Sequence, residues 1–456
     1  MNSSDRIASG SIVRLIVLAV VAVTLAAASG RLVAHAVNDT PSYLEYPFGS
    51  LTDALLSIRT PGYPLFLALA KATVGIAAVP LLQLLLHTIA SWMLGEELIA
   101  RKMPIRSALA AAFCVLLGCT ASDHISTLAT DAPAVSLAVI TAVLLMRSTR
   151  TRSTTAAIGC GLLAIVTIFV RPAYLFLIPW LAVTGWLLAN KAPVSADRDP
   201  PQRTGRWLGM GIAVAVGLVV LSWMTLRKSV VNDFGILPFG HQNLSAILVQ
   251  TVPTDRLRHL DGPGGELAKR VAEGLTEGGY ELPVEGGGPL PTLTLESQWG
   301  DINYNVIWPL AKQLEQADEQ DGQQDARQIR VHRRIGAMNR AILADSPRGY
   351  VLWLGLALRR AAWGTAANLT MHPLFLASLL AGMGWLLYRA TAARPIVPLC
   401  PPAGWAALVI VGITFVIFND AFVILTSPPI GRFADAAAIF LPAIIASLVV
   451  GWESQA

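Results

Sequence analysis

The sequence predicts an all-α polytopic membrane protein, and three observations carry that prediction. The 456 residues are 54% hydrophobic but only 14% charged, with mean hydropathy +0.56, whereas a soluble domain carries about 25% charge. The apolar residues fall in long blocks, and about 20 such residues cross a bilayer as one helix. Lys and Arg cluster in the short turns between blocks, as the positive-inside rule requires of a multi-pass chain. A large soluble enzyme, a disordered chain and a nucleic-acid-binding protein are excluded together.

The first block, about Ile12–Val37, is too long for a signal-peptide core and lacks a cleavage box, so it reads as a spanning anchor. Further spans are expected near 80–99, 107–121, 131–146, 156–170, 172–189, 207–226, 373–389, 403–418 and 433–450, about ten in all. Arg6 and Arg14 open the chain, and four more basic clusters follow the second, fourth, sixth and eighth spans: Arg101 with Lys102 and Arg106; Arg147 with Arg150 and Arg152; Lys191 with Arg198, Arg203 and Arg206; Arg389 with Arg394. All five fall on one side when both termini are cytoplasmic, which implies a multi-pass protein of the bacterial inner (plasma) membrane.

The organisation is then an N-terminal transmembrane core, 1–226, with an amphipathic first outer loop at 38–79; an outer region, 227–371; and C-terminal transmembrane helices, 372–456. Within the outer region the Gly-rich middle reads as a flexible loop. The stretch 302–344 mixes apolar and charged residues at helical spacing, as in a small helical cap. Tyr350–Leu358 is apolar but too short to cross, and is closed by Arg359 and Arg360, so it reads as a helix lying in the interface.

The net charge of +5 divides unevenly. Residues 251–347 hold 15 acids and 10 bases, a net of −5, and the rest of the chain carries +10. The basic balance is therefore a topology signal, not evidence for an anionic partner. Cys114, Cys119, Cys160 and Cys400 form no ligand spacing and read as small packing residues.

Asp39, Glu45, Asp53, Asp123, Asp131 and Asp420 all map to the outer side of this topology. Carboxylates at membrane level are costly to desolvate and mark polar cavities; the plain alternative is that acids are tolerated outside. Arg59 precedes a rigid two-proline turn, Arg171-Pro172 divides two apolar blocks, and Arg432 opens the last span. Each guanidinium suits bidentate phosphate binding, against the alternative of snorkelling to headgroups. His241 reads as a loop histidine or a pocket residue.

Taken in order, these residues resemble the GT-C fold glycosyltransferases, of the protein O-mannosyltransferase and lipid A aminoarabinose transferase type. Asp39 with Tyr43 resembles the acidic start of that family's first outer loop, and Arg59-Thr60-Pro61-Gly62-Tyr63-Pro64 the basic, proline-bearing end of it. Thr130-Asp131-Ala132-Pro133, Val170-Arg171-Pro172 and Gly431-Arg432-Phe433 resemble its Thr-acid, Val-Arg-Pro and late arginine elements. Asp39 is followed by Thr40, where the mannosyltransferases show Asp-Glu, so the sugar and the acceptor stay open.

The resemblance implies an inverting glycosyltransferase that moves a hexose or pentose from a polyprenyl-phosphate donor, drawn from the membrane lipids, to a hydroxyl on a glycan, lipid or protein of the cell envelope. It implies Asp39 as the base and Asp131, or else Asp123, as a second carboxylate. Arg59, Arg171 and Arg432 would hold the donor phosphate, and Tyr43, Tyr63 and His241 would line the pocket. No metal motif is present, and the resemblance leaves a divalent metal open. Two other classes compete: a transporter or flippase of a lipid-linked or anionic substrate, and a scaffold presenting the outer region to a partner.

Overall fold

The computed structural model describes residues 3–118, 124–190, 204–282, 284, 292–317, 327–371, 376–377, 380–381, 383–384, 387–388, 401–429 and 435–453. Among these residues the fold is all-helical, with one isolated backbone bridge between His35 and Thr127. Six stretches are long and apolar enough to cross a membrane: Ser9–Ala28, Ile76–Ala100, Asp131–Thr151, Pro172–Asn190, Trp207–Val231 and Trp405–Ile424. Shorter apolar helices cover Ile105–Leu116, Thr154–Val170 and Asp435–Val450. Large apolar side chains on their perimeter are open, among them Ile12, Val20, Leu162, Leu218 and Ile417. A helix apolar on every side is stable only when lipid covers its outer face. The chain is a multi-pass membrane protein.

In chain order, α1 (Ser3–Ala28) is followed by three short helices of the first loop, α2 (Thr40–Leu44), α3 (Leu51–Leu56) and α4 (Gly62–Thr73). The membrane core continues with α5 (Val79–Ala100), α6 (Ile105–Leu116), α7 (Asp131–Thr151), α8 (Thr154–Val170), α9 (Leu177–Asn190) and α10 (Thr204–Val231). The capping region holds α11 (His241–Leu248), α12 (Thr254–Arg258), α13 (Gly265–Glu277), α14 (Thr292–Asp301), α15 (Trp308–Ala317), α16 (Arg327–Asp345) and α17 (Pro347–Met371). The chain returns through α18 (Trp405–Ile424) and α19 (Leu441–Glu453).

Buried polar residues tie the core together. His87 on α5 bonds Val115 O of α6 at 2.8 Å and Ser136 Oγ of α7 at 3.0 Å, satisfying both ring nitrogens. Trp180 Nε1 donates to Thr414 Oγ1 across α9 and α18 at 3.0 Å. At Gly185, a Cβ would stand 2.7 Å from Gly209 Cα, so α9 and α10 approach as closely as two glycines permit. The cap has a core of its own, built from Ile247, Leu267, Val271, Leu295, Ile335 and Trp353 among others.

Three expectations change. The span near 107–121 is a helix only to Leu116, too short to cross alone at about 1.5 Å per residue. The Gly-rich middle is not loop throughout. α13 forms inside it, burying Leu267, Ala268, Val271, Ala272 and Leu275 along one face. The apolar segment at Tyr350–Leu358 is part of a 25-residue helix, α17, because arginine is a good helix former and Arg360 pairs with Glu296 at 3.1 Å. From Tyr350 to Thr365, α17 bonds to 420–425, so it crosses the end of α18 rather than running beside it. The span expected at 373–389 lies mostly outside the described residues.

Candidate functional site

The first loop, the α6–α7 connection and the α8–α9 turn are stitched into one surface by backbone bonds. His35 N donates to Ser126 O at 2.8 Å and Leu128 N to His35 O at 2.9 Å. Thr40, 2% exposed, accepts from Val37 N at 2.8 Å and donates to Leu128 O at 3.0 Å. This hydroxyl therefore fixes Asp39, one residue earlier, against the segment that leads into Thr130 and Asp131.

Gly62 does the same for Arg59. A Cβ there would stand 2.5 Å from the carbonyl of Phe169, so only glycine lets the start of α4 meet the end of α8. There α8 stops because Arg171, preceding Pro172, is extended, with φ −145° and ψ 106°. Three sequence-distant motifs thus converge on local grounds.

The converging side chains form two ion pairs. Arg59 Nη2 donates to Asp39 Oδ1 at 2.7 Å and its Nε to Ser42 Oγ at 2.8 Å. Its guanidinium lies 4.5 Å over the Tyr43 ring, a cation–π contact that fixes the plane. Arg171 Nη1 donates to Asp131 Oδ1, and Thr130 Oγ1 lies 3.5 Å from the same nitrogen. The first pair is partly open, 19% for Arg59 and 29% for Asp39; the second is closed, with Asp131 at 2%. Burial pushes the Tyr43 phenol up from its ordinary value, while Arg59 pulls it back.

Both arginines face one cavity of about 470 Å³. Asp39, Tyr43, Arg59, Thr130 and Arg171 line one side, and His241, Tyr304 and His332 bring the cap to the other. The segment after α10 completes the wall. Buried Arg227 holds Asp233 at 2.6 Å, and Trp223 Nε1 donates to Ile236 O at 2.9 Å.

His241 has a built seat. Its ring stacks on His332 with centroids 3.9 Å apart and 11° between planes. Its carbonyl accepts from Asn339 Nδ2 at 2.8 Å, and a Cβ on Gly336 would stand 2.8 Å from its Cδ2. Burial, then His241, Arg227 and Arg333, push His332 down to about 3. Burial first and Arg340 second lower His241 as well, opposed by Asp233. Both rings are neutral near pH 7.

The sequence-derived residues therefore fall into separate positions. Asp39, Tyr43, Arg59, Arg171 and His241 line the cavity. Asp131 sits behind Arg171, and Tyr63 behind Tyr43, edge-on at 5.0 Å with its hydroxyl 3.3 Å from Gln83 Oε1. Asp123 and Arg432 lie outside the described residues. Glu45 and Asp53 are exposed and do not line the cavity, and Asp420 accepts from Thr365 of the cap at 3.2 Å. Of the described outer carboxylates, Asp39 lines the cavity and Asp131 bonds an arginine of its wall, while Glu45, Asp53 and Asp420 do not line it.

His332 and Tyr304 were not legible as site residues. The one available signal was a histidine among the apolar positions of α16, between Val331 and Ile335. Among the described residues, no three His, Cys, Asp or Glu side chains converge as a metal-binding group.

No family model matches the chain, and no curated protein matches it. Among solved structures it is similar to ArnT from Cupriavidus metallidurans bound to undecaprenyl phosphate, with 14% identity, TM-score 0.36, and coverage of 98% of this chain and 78% of that one. At so loose a superposition, the chemistry has to come from this chain's own residues.

Proposed function

We propose that the protein is an inverting glycosyltransferase that moves a sugar from a polyprenyl-phosphate donor to a hydroxyl acceptor. The observation that carries this reading is the juxtaposition of Asp39, Arg59 and Arg171 on the wall of one membrane-level cavity. A glycosyl transfer of this kind asks for few groups: a carboxylate to take the hydroxyl proton and cations to take the charge of the leaving phosphate.

The acceptor oxygen attacks the anomeric carbon, and Asp39 takes its proton. The bond from that carbon to the phosphate oxygen breaks, and the electron pair leaves on the phosphate, where Arg59 and Arg171 meet it. Arg59 has two tasks in turn. Before the donor arrives it holds Asp39 in place at 2.7 Å; as the donor phosphate draws it away, the carboxylate is free to meet the acceptor hydroxyl. Asp131 is a positioning residue, holding Arg171 at the cavity wall. The neutral His241 and His332 pair offers hydrogen bonds to sugar hydroxyls without repelling a cation or neutralising the phosphate.

In this reading the cavity opens on the outer face of the plasma membrane, with both termini cytoplasmic, and the apolar part of the wall (Phe234, Leu237 and Phe422) carries the first prenyl units. The donor and its sugar are to be identified from the lipid that co-purifies, by mass spectrometry. With that donor, Asp39→Asn is expected to lower transfer by roughly 10²–10⁴-fold, the usual worth of a general base, while the protein stays folded. Transfer within a few-fold of the parent would remove Asp39 as the base. Movement of the lipid across sealed vesicles, with no glycosyl product, would favour a flippase instead.

A further inference from the structure

The end of α7 opposite the cavity carries a second ionic cluster, with a different balance. Glu97, fully buried on α5, accepts from Arg101 Nε at 3.0 Å, from Arg150 Nε and Nη2 at 2.9 and 2.8 Å, and has Arg147 Nε 3.6 Å away. Three guanidinium groups thus share one carboxylate. Arg101 is the inner one, its side chain 14% exposed and its Nη2 spent on Met146 O and Thr149 Oγ1. Arg147 and Arg150 are the outer ones, 40% and 30% exposed. Both approach the same oxygen, Glu97 Oε2, so two like charges stand side by side with one counter-charge already divided among three. Among the described residues Arg147 has no other partner.

The depth is informative. Arg147 and Arg150 lie 16 and 19 residues beyond Asp131 on one helix, a rise of roughly 24–29 Å. The hydrocarbon core is about 30 Å thick, so the cluster stands at the headgroup level of the leaflet opposite the cavity. Exposed apolar side chains sit beside it: Ile105 at the start of α6 is 53% exposed and Ile158 on the first turns of α8 is 59% exposed. We infer that Arg147 and Arg150 bind a phosphate group, with Glu97 holding both guanidinium groups toward it, and that the headgroup of an anionic phospholipid supplies the phosphate. This site is independent of the sugar-transfer reading; it neither needs the cavity nor contributes to it.

The test uses the full chain in neutral detergent, with lipid retention read by native mass spectrometry and unfolding by a thermal scan. Phosphatidylglycerol is expected to be retained and to raise the unfolding temperature, and phosphatidylcholine with the same acyl chains is not. Arg147→Gln, which disturbs one 3.6 Å contact, should leave the lipid-free unfolding temperature unchanged and weaken phosphatidylglycerol retention about fivefold, the worth of one basic residue at an anionic surface. Arg147→Lys should restore part of it. Arg152→Gln, which removes the same charge next to the cluster, should have little effect.

Equal losses in Arg147→Gln and Arg152→Gln would overturn the site in favour of diffuse surface charge, and so would equal retention of both lipids. A parallel scan with inorganic phosphate separates the sources. Stabilisation by millimolar phosphate that Arg147→Gln abolishes, without selective lipid retention, supports the phosphate site but assigns it a soluble ligand.

Discussion

The two ends of α7 solve the same problem in opposite ways. At the cavity end two arginines meet two carboxylates, Arg59 with Asp39 and Arg171 with Asp131. At the far end Arg101, Arg147 and Arg150 crowd around Glu97 alone. In the proposed reaction the cavity pairs hold the arginines in position at the wall and release them when a ligand offers a better anion. Three-to-one pairing leaves, among the described residues, a surplus of positive charge that an external anion would satisfy. The most deeply buried carboxylates are Asp131 at 2% and Glu97 at 0% side-chain exposure, whereas Asp39 at 29% is more open than its partner Arg59 at 19%. At Asp131 and Glu97 a short, buried acid thus anchors longer, partly exposed bases. In the proposed reading the number of bases per acid separates the reactive site from the anchoring one.

Removing the shared acid breaks this comparison most severely. Glu97→Gln keeps the shape but strips three guanidinium groups of their counter-charge. Deleting one member of a buried ion pair costs about 3–5 kcal/mol, and here three cations lose it together. The variant is expected to unfold at a much lower temperature or to fail to yield folded protein. Asp131→Asn is the matching change at the other end. It affects one arginine and leaves an amide oxygen to accept from it, so the loss should be nearer the 1.5–3 kcal/mol of a charged hydrogen bond. Thermal scans of the two variants side by side test the asymmetry. Equal losses would mean that Glu97 is not the common anchor of its three arginines.

The two ends also differed in how well they could be read from sequence. Asp39, Arg59 and Arg171 were legible because each sits beside a residue whose backbone chemistry is local: Thr40, Gly62 and Pro172. The spans were legible because lipid imposes a long apolar run whatever the tertiary contacts. His332 was not legible, since α16 brings it from far along the chain to stack on His241. Nor was the role of Arg147 and Arg150 fully legible. The positive-inside rule explains their side of the membrane but not their convergence on Glu97, which depends on how α5 packs against α7. The helix α13 was missed because glycines on both flanks dilute a buried stripe that is regular between Leu267 and Leu275.

A milder test sharpens the contrast on the cap side of the cavity. His332 and His241 are both held below their ordinary pKa, His332 at about 3. The unfolded chain takes up protons near pH 6.5, while folded His332 does so only at about pH 3 and His241 below its ordinary value. The stability His332 contributes is therefore full above about pH 6.5 and falls as the pH drops toward 3, by at most about 1.4 kcal/mol per unit, and His241 acts in the same direction. His332→Phe keeps an aromatic partner for His241 but removes one titrating group. Its unfolding temperature should fall less between pH 7 and pH 5 than that of the parent. An unchanged pH dependence would mean that His332 does not carry the acid sensitivity.

The smallest expected effect on stability comes from a single methyl group. Gly336 lies within α16, where replacement by alanine favours the helix by up to about 1 kcal/mol. The new Cβ would stand 2.8 Å from His241 Cδ2 and 2.9 Å from its Nε2, so the ring has to move. It is the far end of a side chain and moves without disturbing the backbone, although it loses part of its stack on His332. The two contributions oppose each other, and Gly336→Ala should unfold within about 1 kcal/mol of the parent. Sugar transfer reports on something else. His241 lines the cavity opposite Asp39 and Arg59, so a displaced imidazole should raise KM or lower kcat even though no residue near the two ion pairs has changed. A drop in transfer at constant stability makes the cap a working wall of the site. Unchanged transfer would reduce it to a cover and leave the chemistry wholly to the membrane side.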